Sequence, residues 1–332
     1  MPAPPVDIET LAVQVVAGDR AALARAITLV ESSRGDDRDH AQQFLVRLLP
    51  HTGGAVRVGI SGVPGAGKST LIDALGVHLI DQGRRVAVLA VDPSSTLSGG
   101  SILGDKTRMA RLGRDPRAFV RPSPTGGSLG GIARRSRESM LVCEAAGFDV
   151  VLVETVGVGQ SETAVSEIVD AFVVLLVAGA GDELQGIKRG ILELVDVLVL
   201  NKADGEGLAR AEEACGRYAS ALQLMRRRDP AWRPRVMTAS AQTGAGVDSV
   251  WAVLEERRVL LEADGTWERR RQRQALAGMW RLLAERLEAD VRRHPAVQAR
   301  LADVESDVIA GRLTAALGAQ ALLDAAGWKS DD

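Results

Sequence analysis

The stretch Gly62-Val63-Pro64-Gly65-Ala66-Gly67-Lys68-Ser69-Thr70 has the spacing G-x-x-x-x-G-K-[ST]. It follows the apolar run Val56-Arg57-Val58-Gly59-Ile60 and precedes the helical pattern Leu71-Ile72-Asp73-Ala74-Leu75. A strand, a glycine-rich loop and a helix in that order make a phosphate cradle. Small residues let backbone N–H groups turn inward around a β-phosphate, and the helix N-terminus adds partial positive charge. Lys68 supplies a point charge between β- and γ-phosphates, and the Ser69 hydroxyl suits Mg²⁺. Gly62, Pro64, Gly65, Ala66, Gly67, Lys68, Ser69 and Thr70 are therefore candidate nucleotide-binding residues.

Asn201-Lys202-Ala203-Asp204 follows the apolar run 196–200 and fits N-K-x-D, the guanine-reading element of GTPases. Guanine presents N1–H and N2–H₂ side by side, and an ionised carboxylate accepts both. Adenine presents an unprotonated N1 there, which Asp204 repels, so the choice of base is partly by rejection. The stem of Lys202 can cover the base, and Asn201 can tie this loop to the phosphate loop. Ser240-Ala241, after the next strand, can offer a backbone N–H to guanine O6, on a much weaker signal.

Magnesium takes hard oxygens. Ser69 is one; Glu154, at the end of the run Val150-Val151-Leu152-Val153, is a second. Glu154-Thr155-Val156-Gly157 stands where many GTPases have D-x-x-G. Glutamate reaches one methylene further, which leaves direct and water-mediated contact both open. Gly157 permits a backbone N–H to approach a γ-phosphate. Asp92 and Asp105 are further candidates. Each sits near Gly or Pro, where aspartate also makes turns, and chemistry alone does not choose between the roles.

Positioning these residues requires an α/β fold. Near-continuous Val/Leu runs at 56–60, 86–91, 150–153, 171–177, 195–200 and 236–239 read as strands buried on both faces. Helical segments between most of them imply a P-loop NTPase with a mostly parallel central sheet, and a ligand beyond the strands' carboxyl ends. Residues 1–52 read as a helical extension, with Asp7 and Asp19 as helix caps and Phe44, Leu45 and Leu48 on an apolar face. It is too small to bury its own faces and is expected to pack on the P-loop domain, 53–262. Residues 263–332 read as a helical arm with the stripe Leu276, Trp280, Leu283, Leu287 and Val291, interrupted at His294-Pro295.

The 332 residues are 46% hydrophobic and 25% charged, enough for a sizeable core. A net charge of −2 argues against a general polyanion binder, so neither nucleic acid nor membrane is expected as a partner. Residues 1–9 lack the basic and apolar regions of a signal peptide, and the longest apolar run, 171–180, is too short to span a bilayer. Two cysteines, Cys143 and Cys215, give no disulfide framework. The expectation is a soluble, cytoplasmic protein. The runs 226–228 and 269–271 are all arginine and read as solvated helix faces or as a surface for an acidic partner.

Four further segments carry a resemblance. They are Asp92-Pro93-Ser94-Ser95, Gly104-Asp105-Lys106-Thr107-Arg108-Met109, Glu154-Thr155-Val156-Gly157-Val158-Gly159-Gln160-Ser161-Glu162 and Gly181-Asp182-Glu183-Leu184-Gln185-Gly186-Ile187-Lys188. Together they resemble the methylmalonyl-CoA mutase-associated GTPases, the MeaB/ArgK family, across the P-loop domain, with flanks of similar layout. The resemblance implies a G-protein chaperone of adenosylcobalamin-dependent methylmalonyl-CoA mutase. Such proteins hydrolyse GTP slowly to GDP and phosphate, are stimulated by the mutase, gate its cofactor loading and protect it. They act as homodimers through C-terminal helices. By position, Ser69, Asp92, Asp105 and Glu154 fall in the magnesium and switch elements. Asp182 and Lys188 fall in a further loop that answers to nucleotide and partner.

Lys68, Glu154, Asp182 and Lys188 are thus the candidate catalytic residues. Lys188 is the best source of added positive charge near a γ-phosphate, against the reading of a solvated lysine beside Arg189. Gln160 lies close to the switch but has no clear role in positioning water. No D-x-H-x-x-G is present, so no cobalamin is expected on this chain. The alternative function is a GTPase metallochaperone, which shares the fold but usually carries a Cys- or His-rich segment. A small-molecule kinase would lack the guanine reader, and a nucleotide-free scaffold would not need Lys68 and Ser69.

Overall fold

The computed structural model describes residues 7–32, 34–92, 109–124, 129–155, 161–179, 189–225 and 228–328. They divide into two units, Met1–Gln272 and Arg273–Asp332. The larger unit is built on seven parallel strands: β1 (Val56–Gly62), β2 (Val86–Asp92), β3 (Ala118–Pro124), β4 (Val150–Thr155), β5 (Ala171–Val177), β6 (Val197–Asn201) and β7 (Arg235–Thr238). Their order across the sheet is β3-β2-β4-β1-β5-β6-β7.

Both faces of the sheet are buried, and the two-residue alternation sorts the side chains. Val150 and Leu152 of β4 join one apolar cluster while Val151 and Val153 join the other. Phe172, Val174 and Leu176 of β5 share the second cluster with Leu11, Val15, Leu23, Ile27, Phe44 and Leu48 of the N-terminal helices. Those helices are α1 (Ile8–Val16), α2 (Arg20–Glu31) and α3 (Gly35–Leu48). Asp7 caps α1 by accepting from the N–H groups of Glu9 and Thr10, and Asp19 caps α2 by accepting from that of Ala22.

Helix α4 (Lys68–Asp81) leaves the phosphate loop and packs on the other face. The remaining described helices of this unit are α5 (Leu129–Ala145), α6 (Ser161–Ser166), α7 (Arg189–Leu192), α8 (Gly207–Gln223) and α9 (Val247–Ala263). One strand was missing from the sequence reading. β3, Ala118-Phe119-Val120-Arg121-Pro122-Ser123-Pro124, lacks the apolar run of its neighbours and carries two prolines. It sits at the sheet edge and pairs only with β2, where a proline's missing N–H costs no second ladder.

Helix α10 (Thr266–Arg293) begins in the larger unit, where Trp267 and Arg270 are buried. Arg271 is ion-paired to the buried Asp170. Arg269 is exposed, but Arg270 and Arg271 are not part of a solvated face, and neither expected role fits them. In the smaller unit α10 continues to Arg293. His294 is extended, and Pro295 opens α11 (Pro295–Ile309), followed by α12 (Ala315–Ala325). Gly318 lets the last two helices close: a Cβ there would lie 2.9 Å from Val308 Cγ2. Leu276, Trp280 and Leu283 are exposed on α10. Among the described residues no helix is long and apolar enough to cross a membrane.

Candidate functional site

Parallel register brings the motif residues to one edge. Ile60 lies opposite Glu154, Gly62 opposite Leu175, and Val177 opposite Asn201. The phosphate loop, Glu154 and Asn201 thus leave β1, β4 and β6 at the same edge, around the central strand β1. The crossover leaving β1 runs to β2 on one side, whereas those leaving its neighbours β4 and β5 run the other way, and such a reversal opens a crevice at the strand exits.

The loop's backbone needs glycine where it turns most sharply. Gly62 has φ +149° and Gly67 φ +87°. A Cβ on Gly62 would lie 2.2 Å from the Leu175 carbonyl oxygen, and one on Gly67 2.6 Å from Asn201 Nδ2. Pro64 and Gly65 are exposed at the tip, Ala66 is buried beneath them, and Thr70 is exposed on the first turn of α4. The Lys68 ammonium is buried and donates to the carbonyls of Gly62 at 2.9 Å and Val63 at 3.3 Å. It therefore lies back over the loop whose phosphate it would meet.

Ser69 Oγ donates to Glu154 Oε1 at 2.9 Å. A hydroxyl and a carboxylate converging at the loop exit are two hard oxygens, a donor set that fits Mg²⁺. Nearby, two buried hydroxyls that no motif marks also pair. Thr155 Oγ1 donates to Ser61 Oγ at 2.9 Å, both residues buried. It ties the strand end that carries Glu154 to the strand end that becomes the phosphate loop. The available signal was a hydroxyl residue next to a site residue in each of two mostly apolar strands.

Asn201, 2% exposed, braces two loops at once. Its Nδ2 donates to the Ala66 carbonyl at 2.7 Å, and its Oδ1 accepts from the Ala241 N–H at 3.1 Å. Ser240 donates its hydroxyl to the Asp204 carboxylate and accepts the Thr243 N–H at 3.2 Å. Lys202 is exposed with φ +61°, the left-handed conformation, which among the described residues no other non-glycine adopts. Such a backbone costs roughly 1–3 kcal/mol and persists only where its surroundings impose it. Here Ala203 N–H bonds the Ala239 carbonyl at 3.1 Å on one side, and Gly207 N–H bonds the Asp204 carbonyl at 2.9 Å on the other.

The structure thus brings together the loop 62–70, Glu154, Asn201, Lys202, Asp204, Ser240 and Ala241. Asp92 ends β2 at the same edge, one residue beyond the Val91–Thr155 pairing, with its side chain outside the described set. Asp105, Gly157, Gln160, Asp182 and Lys188 lie outside the described residues.

Comparisons with known proteins agree in one direction. The family described as "Methylmalonyl Co-A mutase-associated GTPase MeaB" matches residues 23–296. A Mycobacterium tuberculosis protein named "Probable GTPase Rv1496" is 54% identical over 319 residues, covering 96% of this chain and 95% of that protein. A mouse protein named "Methylmalonic aciduria type A homolog, mitochondrial" is 46% identical, covering 96% of this chain and 79% of its own length. Among solved structures, an LAO/AO transport system kinase superposes with a TM-score of 0.79 at 36% identity, covering 97% of this chain and 99% of that one.

The double brace at Asn201 yields a test. Asn201→Ala leaves the Ala66 carbonyl and the Ala241 N–H without their partner, at about 1–3 kcal/mol for each buried group left unpaired. Guanine-nucleotide affinity, read by titration calorimetry, is expected to fall at least tenfold while the circular dichroism stays native. Wild-type affinity in a folded variant would show that the brace is dispensable.

Proposed function

The chain belongs to the methylmalonyl-CoA mutase-associated GTPase (MeaB) family, and from that premise we propose that it is a GTP-dependent chaperone of adenosylcobalamin-dependent methylmalonyl-CoA mutase. It gates cofactor loading and protects the mutase, turning over GTP slowly until the partner stimulates it. One observation carries the nucleotide half of this reading. A phosphate loop, the Ser69–Glu154 oxygen pair and the Ser240–Asp204 carboxylate meet at one sheet edge, joined by Asn201. The family description and the mouse relative's name support the mutase as client. The parts proposed are an N-terminal extension at 1–52, a GTPase domain at 53–262 and a dimerising arm at 263–332.

In this reading Ser69 and Glu154 would hold Mg²⁺ with Asp92 and Asp105 as further ligands, and the ion would supply positive charge for phosphoryl transfer. Lys68 exchanges its loop carbonyls for phosphate oxygens, and Gly157 lets a backbone N–H approach the γ-phosphate. Asp204 selects guanine, held by Ser240, with Lys202 over the base and Ala241 offering its N–H. Asp182 and Lys188 lie on the loop that answers to the mutase.

Base choice tests the guanine assignment. Asp204→Asn is expected to weaken GTP by roughly 10⁴-fold, as in sites that lose a matched hydrogen-bonding edge. It should favour xanthosine triphosphate, because asparagine donates to xanthine O2 while its carbonyl still accepts from N1–H. Unchanged GTP affinity in a competition assay would sink the assignment.

The exposed Leu276, Trp280 and Leu283 of α10 support a two-fold contact, the commonest way to cover such a stripe. A chain cut after Gln272 keeps Trp267, Arg270 and Arg271 in the larger unit, and it should run as a monomer by light scattering where the full chain is a dimer. A dimer surviving the cut would place the interface elsewhere.

The partner is tested by co-purification with methylmalonyl-CoA mutase, with and without GTP, followed by turnover. A single well-placed charge supplying about 2.7 kcal/mol of transition-state stabilisation gives a hundredfold rate. Lys188→Ala should keep GTP binding and slow intrinsic turnover but lose most of the mutase stimulation. No complex with the mutase would overturn the client, and full stimulation of the variant would make Lys188 a surface residue.

A further inference from the structure

Four residues at the opposite edge of the sheet, 167–170, connect α6 to β5, and with Ser166, the last residue of the helix, they form the stretch 166–170. Helix α6 begins six positions after Thr155, at the nucleotide edge. Four arginines of the larger unit close on this stretch. Arg228 Nη2 donates to the Ser166 carbonyl at 2.6 Å, Arg270 Nη2 to that of Val169 at 3.5 Å, and Arg257 Nη1 to that of Asp170 at 2.8 Å. Arg271 grips the Asp170 carboxylate with Nε at 2.8 Å and Nη2 at 2.6 Å. The same carboxylate accepts the Arg57 N–H at 2.8 Å. Arg271 also donates to the carbonyls of Gly53 and Ala55, both at 2.6 Å, on the segment leading into β1. Arg270 and Arg271 stand in the first turns of α10.

Towards the sheet the stretch has no slack. A Cβ on Gly59 of β1 would lie 2.8 Å from Phe172, 3.0 Å from Val165 and 3.1 Å from Val169. Residues 165–172 therefore sit directly on the strand that becomes the phosphate loop. At the other end of α6 Glu162 is 1% exposed, and neither carboxylate oxygen has a hydrogen-bond partner among the described residues. A buried carboxylate without a partner is unfavourable, and a six-residue helix has little stability of its own to offset it. The helix is gripped at its end and carries a buried, unpartnered carboxylate at its start, the makings of a two-state element.

We infer that the arginine grip makes α6 a relay, coupling the nucleotide edge of the sheet to the first turns of α10. This rests on the reading of the loop as a guanine-nucleotide site. Coupling is reciprocal: if nucleotide state alters the hold on residues 166–170, altering that hold changes the relative affinity for two nucleotides. A clamp that is only structural changes stability and leaves that ratio alone.

The test uses the full chain and its Arg271→Lys and Asp170→Asn variants, with dissociation constants measured for GDP and a non-hydrolysable GTP analogue in Mg²⁺. Lysine keeps the charge but not the two-pronged geometry. The analogue-to-GDP ratio is expected to shift threefold or more in both variants, in the same direction. The double variant should shift no further than the larger single one, because the pair acts as a unit. Ratios within threefold of wild type in folded variants overturn the relay. Should either variant fail to fold, hydrogen exchange on the unaltered chain decides. Amides of 166–172 and 266–272 should change protection together between the two nucleotides, and unchanged protection at 266–272 overturns the relay. A chain that binds both nucleotides but shows no coupling sinks only this inference. A chain that binds neither sinks the functional reading with it.

Discussion

Parallel pairing directs every strand of a sheet the same way, so each strand exit falls at one edge and each strand start at the other. In this chain that constraint separates two kinds of polar chemistry. The exits of β1, β4 and β6 place Gly62, Glu154 and Asn201 at one edge, although they lie far apart in sequence. A slip of one residue in β4 would send Glu154 to the other face and break the Ser69 contact, since side chains alternate. Both faces of β4 are fully apolar up to Glu154, and this burial holds the register.

The opposite edge shows what the fold tolerates to anchor its connections. Asp170 and Asp196 are each 1% exposed, and Arg257 is equally buried. Arg257 pairs with Asp196 at 3.1 Å, and Asp196 also accepts the Phe172 N–H at 2.9 Å. Burial first, then the neighbouring Arg270 charge, pulls the Arg228 guanidinium down to about 10. Buried ion pairs seldom add net stability, because desolvation offsets most of the attraction. What they impose is geometry: a guanidinium fork fits one arrangement of carboxylate and carbonyls and no other. Residues 166–170 bury only Ile168 and Val169 as apolar side chains, and the arginines fix the backbone carbonyls around them.

Legibility in the sequence followed the physics of each part. The phosphate loop could be read because its chemistry is local: backbone conformation and helix N-terminus come from adjacent residues. The strands β1, β2, β4, β5 and β6 could be read because burial on both faces demands unbroken apolar runs. β3 could not, because an edge strand needs neither the run nor a full set of N–H donors. The arginines at 270 and 271 misled for the converse reason. A run of like charges is usually solvated, and nothing local announces that Asp170, about a hundred positions earlier, lies against them. The Ser61–Thr155 pair was missed likewise, since its two hydroxyls meet only through sheet register.

Lys68 shows how the site is prepared for its ligand. Its ammonium already lies over the loop, held by the carbonyls of Gly62 and Val63. A phosphate therefore meets a cation whose side chain is largely ordered, so little further rotamer entropy is lost on binding. The exchange replaces neutral acceptors by anionic ones, and charge-assisted hydrogen bonds are roughly twice as strong. Ser69 differs: its hydroxyl is engaged with Glu154, so a metal ion binding both oxygens has to take the place of that hydrogen bond. The loop is thus organised for phosphate before binding, whereas the Ser69–Glu154 oxygens are engaged with each other.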